Sequence, residues 1–107
     1  MEPTGAKLKV LNAVTTGTSA AVAVRGQGRE VSCYIYGSGT IAGGAVQFEE
    51  AHDEAYTGTW AAIGTPQTVV DATVKVVHST GCVGAVRARV STNITGGGTV
   101  SVDIVLN

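Results

Sequence analysis

Apolar and polar residues alternate along most of this chain. The stretch 99–106 reads TVSVDIVL, so that Val100, Val102, Ile104 and Leu106 fall on one face of an extended chain and Thr99, Ser101 and Asp103 on the other. This is the pattern of a half-buried β-strand, whose successive side chains point to opposite faces. A repeat of 3.6 residues hardly occurs, so we expect no helix longer than one turn.

Eight segments carry this strand pattern, and turns rich in glycine, threonine and serine separate them. Short strands at fairly regular spacing are typical of antiparallel all-β domains. The sequence therefore predicts an all-β fold, either an antiparallel, jelly-roll-like β-sandwich or a small barrel. The predicted strands are 7–14, 19–25, 30–36, 45–49, 59–63, 69–77, 85–94 and 99–106.

The length of 107 residues suits one domain. We expect 1–107 to be a single β-sandwich domain in which 1–6 form a flexible N-terminal arm, since chain ends order poorly unless something holds them. The arm lacks the basic and apolar regions of a secretory signal. The longest strictly apolar run, 20–24, is too short to cross a bilayer, so we expect a protein that is made in a cytosol and does not enter membranes.

Charge is sparse. Charged residues make up 14% of the chain and the net charge is −1, against about 25% charged residues in typical domains. A nearly neutral surface favours association with other molecules. Seven lysines and arginines, well dispersed, do not make the basic stripe that phosphate backbones require, so we expect no nucleic-acid partner.

Half of the acidic residues are concentrated in the stretch EEAHDE at 49–54. The strand pattern places it at the tip of a hairpin, where polar residues solvate an exposed backbone. A solvated loop is therefore the first interpretation, and a charged contact with a partner or a loose metal site are the others. With one histidine and no regular ligand spacing, the stretch is a poor metal site, and we predict no metal and no cofactor.

Catalytic patterns are absent from the sequence. There is no G-x-S-x-G elbow and no cysteine beside a positioned histidine. His78 ends a predicted strand, and the glycine-rich runs at 37–39 and 96–98 lack the lysine and the following helix of a phosphate loop. We predict no catalytic residue and no enzymatic activity.

The cysteines and large aromatic residues carry further expectations. Cys33 falls within a predicted strand as a buried apolar residue, and Cys82 falls in a turn. A cytosolic protein keeps both reduced, although the sequence leaves a disulfide between them open. Trp60 is predicted to be buried and to pack against Phe48 across the hairpin.

Several motifs resemble small structural proteins of tailed phages. The segments VQFE at 46–49 and TWAAIG at 59–64, with Asp53 between them, resemble the hairpin V-x-F-E-x-S-x-D-G-x-x-W-x-x-I/L-G of those proteins. LNAVT at 11–15, VRARV at 86–90 and VSV at 100–102 are similar to further segments, so the resemblance covers about 11–106. Glu54 stands where glycine is usual, so we expect a longer loop here.

The resemblance implies a virion structural protein, above all a capsid cement or decoration protein on the head surface, made in the cytoplasm of a bacterial host. Its implied partners are the major capsid protein and further copies of itself, as a homotrimer or homodimer on local symmetry axes. A tail, fibre or baseplate subunit is the alternative within the same class. The residues predicted to contact partners are Lys7, Lys9, Glu50, Asp53, Glu54, Arg87 and Arg89.

A carbohydrate-binding module is the alternative from another class. Tyr34 and Tyr36 share one face of a predicted strand and, with Tyr56 and Trp60, could stack against sugar rings beside acidic groups. The aromatic content of only 5% and the expected inward position of Trp60 speak against this interpretation.

Overall fold

The computed structural model describes residues 6–24, 30–80 and 84–106. Within these ranges the regular secondary structure consists of β-strands, as the alternating pattern predicts. The strands are β1 (Ala6–Val14), β2 (Val22–Ala23), β3 (Val31–Ser38), β4 (Gly43–Ala51), β5 (Ala61–Thr68), β6 (Val74–Ser79), β7 (Ala85–Thr95) and β8 (Thr99–Leu106).

The strands form two four-stranded antiparallel sheets. Sheet A has the order β1-β8-β3-β6, and sheet B has the order β2-β7-β4-β5. If the chain is folded back on itself at the β4–β5 loop, the pairs β1/β8, β2/β7, β3/β6 and β4/β5 form one long ribbon, and successive pairs lie in opposite sheets. This is the jelly-roll arrangement of eight strands. The prediction of an antiparallel, jelly-roll-like sandwich is confirmed, and the barrel alternative is not adopted.

The core lies between the sheets and follows from the alternation. On β8 the side chains of Val100, Val102 and Ile104 are fully buried, while the residues between them are half-exposed. Phe48 on β4 is the largest fully buried side chain. Besides these four, the cluster of buried residues contains Leu11, Val24, Val31, Cys33, Ile35, Val46, Val69, Val86, Ala88, Val90 and Ile94.

Two predicted strands are shorter than their apolar patterns suggest. The predicted strand 19–25 pairs only over Val22–Ala23, because Ser19 contacts β7 in another way. Its amide donates to the Ala88 carbonyl at 2.8 Å and its hydroxyl accepts from the Ala88 amide at 3.0 Å. The predicted strand 69–77 begins only at Val74, because 69–73 cross between the sheets, with Val69 donating to the Gly44 carbonyl at 3.0 Å.

The first strand begins at Ala6, which pairs with Leu106. The rest of the predicted N-terminal arm, 1–5, lies outside the described residues. Among the described residues, no helix is both long and apolar enough to cross a membrane.

Each of the four edge strands carries a feature that interferes with adding a further strand. On β1 the register with β8 shifts twice, and β2 has two residues. On β5 the register shifts around Gly64 and Pro66. Lys75 on β6 pairs with the buried Ile35 and so points to the core side of its sheet. Bulges, proline and inward-pointing lysine are means by which proteins protect sheet edges, so the sheet faces are better docking surfaces than the edges.

Candidate functional site

The predicted partner-contact residues lie in three separate places. Lys7 and Lys9 are on β1, at the margin of the outer face of sheet A. Arg87 and Arg89 are on the outer face of sheet B. Glu50 is near the end of β4, and Asp53 and Glu54 are in the loop that follows it. The structure therefore offers two sheet faces and one loop as candidate contact surfaces.

On sheet B the two arginines bind a carboxylate of the same chain. Arg87 Nε and Arg89 Nε each donate to one oxygen of Glu49 at 2.9 Å. Glu49 lies directly opposite Arg87 and diagonally to Arg89 on the neighbouring strand, and its side chain is 6% exposed. The arginine side chains keep 23% and 42% exposure, and their contact with a partner stays a prediction.

Trp60 lies against this cluster, with Arg87 over its ring. It is 5% exposed, as predicted, but the prediction that it packs against Phe48 is wrong. Phe48 pairs with Ile63 on β5, and the core cluster described above does not include Trp60. The indole lies on the outer face instead, with the Arg87 guanidinium carbon 4.4 Å from its ring centroid.

The acidic loop, residues 52–60 between β4 and β5, is held by its own hydrogen bonds. Asp53 Oδ1 accepts from the Ala55 amide at 2.8 Å and the Asp53 carbonyl accepts from the Tyr56 amide at 3.1 Å. Trp60 Nε1 donates to the Tyr56 carbonyl at 3.0 Å. The rings of His52 and Tyr56 are 5.0 Å apart. This longer loop agrees with the departure from the phage hairpin motif, and it presents Tyr56 at 39% exposure.

The described residues contain no group of three or more histidine, cysteine, aspartate or glutamate residues that could hold a metal ion.

The outer face of sheet A contains a shallow groove of about 260 Å³. We call it the tyrosine groove, because Tyr34 and Tyr36 stand side by side in it on β3. Val74 on the edge strand is 59% exposed, so the groove has an apolar side that water reaches. Its lining residues are Lys7, Tyr34, Tyr36, Val74, Asp103 and Val105.

One wall of the groove is fixed by a small polar network. Lys9 Nζ donates to the Tyr36 hydroxyl, which donates to Asp103 Oδ2 at 3.4 Å. Lys9 Nζ also lies 3.7 Å from Asp103 Oδ1 and 5.0 Å from the Tyr36 ring centroid. The hydrogen bond with Tyr36, followed by the charge of Asp103, raises the pKa of Lys9. Lys7, in contrast, lies at the rim of the groove and has no hydrogen bond or ion pair to any described residue.

The sequence indicated only part of this groove. The i, i+2 spacing of Tyr34 and Tyr36 placed both on one face, and this is confirmed. Val74, Asp103 and Val105 come from strands far away in sequence, so their place beside the tyrosines depends on the β3–β6 and β3–β8 pairings. The sequence carried one sign of this groove: Val74 and Val105 are apolar residues on the solvent-facing side of their strands.

Two further reactive groups lie within the described residues. Cys33 is fully buried and unpaired, and burial raises the pKa of its thiol to about 12. Cys82 lies outside the described residues.

The Ser32 hydroxyl is 2.7 Å from His78 Nδ1, but Ser32 is buried and no described group orients the other ring nitrogen, as a catalytic serine–histidine pair would need.

Comparison with known proteins supports the fold. No family model matches the chain, and no curated protein matches it. The crystal structure of the SPBc2 prophage-derived protein YomS is similar with a TM-score of 0.66 and 18% identity, covering 100% of this chain and 96% of that one. A structure described as Bacillus endospore appendages that form a family of disulfide-linked pili is similar with a TM-score of 0.52 and 12% identity, covering 94% and 83%. At these identities the similarity establishes a shared fold.

Proposed function

We propose that this protein is a structural protein of a phage virion, and specifically a capsid cement or decoration protein that binds the outer surface of the head. The observation that carries the proposal is the end-to-end structural similarity to a prophage-derived protein, together with the sequence resemblance to small phage virion proteins. The jelly-roll fold also occurs in viral capsid domains.

The surfaces of the domain support this role. Sheet A presents apolar and tyrosine side chains to solvent, with Val74 at 59% and Val76 at 42% exposure. Tyrosine-containing apolar patches with charged margins are typical of protein contact surfaces. On a capsid each contact can be weak, because linked copies bind at high effective concentration.

The proposed partners are the major capsid protein and further copies of this chain, as a homotrimer or homodimer on local symmetry axes. Lys7 and Lys9 on one face and Asp53 and Glu54 in the acidic loop supply charges of opposite sign that can orient such contacts. A role in a tail or baseplate uses the same surfaces, and the similarity to a protein of pili is compatible with it.

The carbohydrate alternative is weakened by the positions of the aromatic residues. Tyr34 and Tyr36 are on the outer face of sheet A, while Trp60 lies on the opposite sheet under Arg87. Four aromatic residues therefore do not form one stacking platform. Binding on a glycan array that disappears in Tyr36→Ala would favour this alternative over the proposed function.

The proposal is tested by adding purified protein to empty capsids that lack it. We expect saturable binding at symmetric sites, and bound capsids should resist heat and low ionic strength better than bare ones. A control with the Val74→Asp variant separates binding through sheet A from binding elsewhere. If the protein binds no capsid at any concentration, the cement function is wrong, and binding to purified tails instead would support the tail alternative.

A further inference from the structure

We infer that the tyrosine groove of one copy receives the acidic loop of a second copy, so that this chain assembles head to tail. The inference rests on the proposed structural function and adds the self-contact through which copies would assemble. It concerns two surfaces: the groove lined by Lys7, Tyr34, Tyr36, Val74, Asp103 and Val105, and the loop 52–60 with Tyr56 and Asp53.

Several groups that line the groove are available for contact with another molecule. Val74 is mostly exposed, and neither Lys7 nor the Tyr34 hydroxyl has a hydrogen-bond partner among the described residues. At about 260 Å³, the groove is smaller than a typical small-molecule site of roughly 300–1,000 Å³. Its size and its apolar and tyrosine lining suit a single aromatic side chain, and Lys7 at the rim can pair with a carboxylate that accompanies it. The Asp103 carboxylate in the lining is already held by Tyr36 and Lys9.

The acidic loop carries that combination. Tyr56 exposes 39% of its surface, and Asp53 and Glu54 are exposed beside it. The hydrogen bonds from Ala55 and Tyr56 to Asp53, and from Trp60 to Tyr56, hold the loop in one shape. A loop that is ordered before binding loses less conformational entropy in a contact, and tyrosine is a frequent anchor residue in interfaces.

Charge favours Lys7 over the arginines as the cationic side of this contact. Arg87 and Arg89 are already bound to Glu49 within the chain. Lys7 is exposed and stands at the rim of the groove without a carboxylate partner in the described residues. An acidic loop placed on this rim would gain complementary charge, which sets orientation more than affinity.

The contact must join different molecules. The groove is on the outer face of sheet A, whereas the loop connects β4 and β5 of sheet B and is tied to Trp60 on the outer face of that sheet. If the contact is not reciprocal within a pair of copies, it is heterologous and produces either a closed ring or an open filament. A closed ring of three copies would be the proposed trimer.

Two variants test the contact in the full chain. Tyr56→Ser disables the loop and Val74→Asp disables the groove, and both residues are exposed enough for the fold to persist, which circular dichroism checks. Val70→Asp is the matched control, because Val70 is 41% exposed but does not line the groove. Sedimentation velocity would be measured up to about 1 mM protein, which covers weak contacts.

We expect concentration-dependent association of the wild type that weakens with salt, and at least about tenfold weaker association of each single variant. An equal mixture of the two variants should form a 1:1 heterodimer, because one variant keeps the loop and the other keeps the groove. Wild type that stays monomeric, single variants that associate like the control, or a mixture that stays monomeric would overturn the inference. Monomeric wild type that still binds capsids would leave the proposed function intact, whereas association without capsid binding would refute only that function.

Discussion

Arg87 contacts Trp60 and Glu49 at the same time. Its guanidinium carbon lies 4.4 Å from the centroid of the Trp60 ring, and its Nε donates to Glu49 Oε1 at 2.9 Å. The contact joins β7 to the last residue of the acidic loop, just before β5, and to the C-terminal part of β4, all on the outer face of sheet B. A polar cluster thus covers this face, whereas the outer face of sheet A exposes apolar side chains.

Removing the indole should destabilise the domain. Trp60→Ala is expected to lower the free energy of unfolding by about 3 kcal/mol, at the lower end for a buried tryptophan, because the ring lies outside the central core. The cation–π contact contributes about 0.5–1 kcal/mol of this. Urea denaturation followed by far-ultraviolet circular dichroism measures it, with Val70→Ala as a control expected within about 0.5 kcal/mol of wild type. A Trp60→Ala protein as stable as that control would show that the indole does not stabilise the fold.

Glu49 should matter more than either of its arginines. Glu49→Ala leaves two guanidinium groups without their carboxylate, and we expect a loss of about 2 kcal/mol. Arg89→Ala should cost less than about 1 kcal/mol, because Arg89 is 42% exposed and Arg87 still binds the carboxylate. Equal losses in the two variants, measured by urea denaturation, would contradict this unequal sharing.

Position 44 requires glycine, both because its φ is positive and because there is no room for a side chain. Its φ is +136°, and a Cβ there would lie 2.3 Å from Ile94 Cδ1 and 2.9 Å from Ile94 Cα. We expect Gly44→Ala to cost more than about 2 kcal/mol, combining a strained backbone with a clash in the core. Gly97→Ala is the matched control, since its φ is +101° but a Cβ would meet no atom within 4 Å. We expect a clearly lower thermal midpoint for Gly44→Ala than for Gly97→Ala, and identical midpoints would refute the clash.

The Cys33 thiol should be unreactive in the folded protein. Burial raises its pKa from 9.0 to about 12, so the reactive thiolate is rare at neutral pH. The raised pKa contributes stability that is fully present below about pH 9 and is lost as the pH rises towards about 12, because the unfolded chain releases the proton first. In a Cys82→Ser variant, a thiol reagent at pH 8 should label Cys33 only after denaturant is added. Rapid labelling of the native protein would contradict its burial.

The fold was more predictable from the sequence than the contacts were. Alternation located all eight strands, most clearly on β3, β7 and β8, whose apolar faces are directed to a shared core. On β6 the pattern is misleading, because Lys75 is on the core side and Val74 and Val76 are exposed. The error at Trp60 has a specific cause: Trp60 and Ile63 are three positions apart, and an odd separation places two residues on opposite faces of a strand. Because Ile63 pairs with Phe48, the tryptophan had to face outwards, and bulk alone had suggested the core.

The contacts on the sheet faces could not be predicted from the alternation within a single strand. Gln47 and Glu49 are polar and are 5% and 4% exposed. Gln47 donates to the Ile63 and Gly64 carbonyls on β5, and Glu49 is bound by Arg87 and Arg89 on β7. The tyrosine groove requires β6 and β8 to flank β3, a pairing between segments far apart in sequence. Alternation within a strand predicts which face of the sheet a side chain points to, whereas the strands that flank it depend on the whole chain.

Localisation of the protein on purified phage particles decides most directly whether it binds the head. Particles produced by the host that carries this gene would be labelled with gold-conjugated antibody and viewed by electron microscopy, with quantitative mass spectrometry giving the copy number per particle. We expect label over the outer surface of the head and a fixed copy number that matches a set of capsid symmetry sites. Label confined to the tail, or absence of the protein from intact particles, would contradict it.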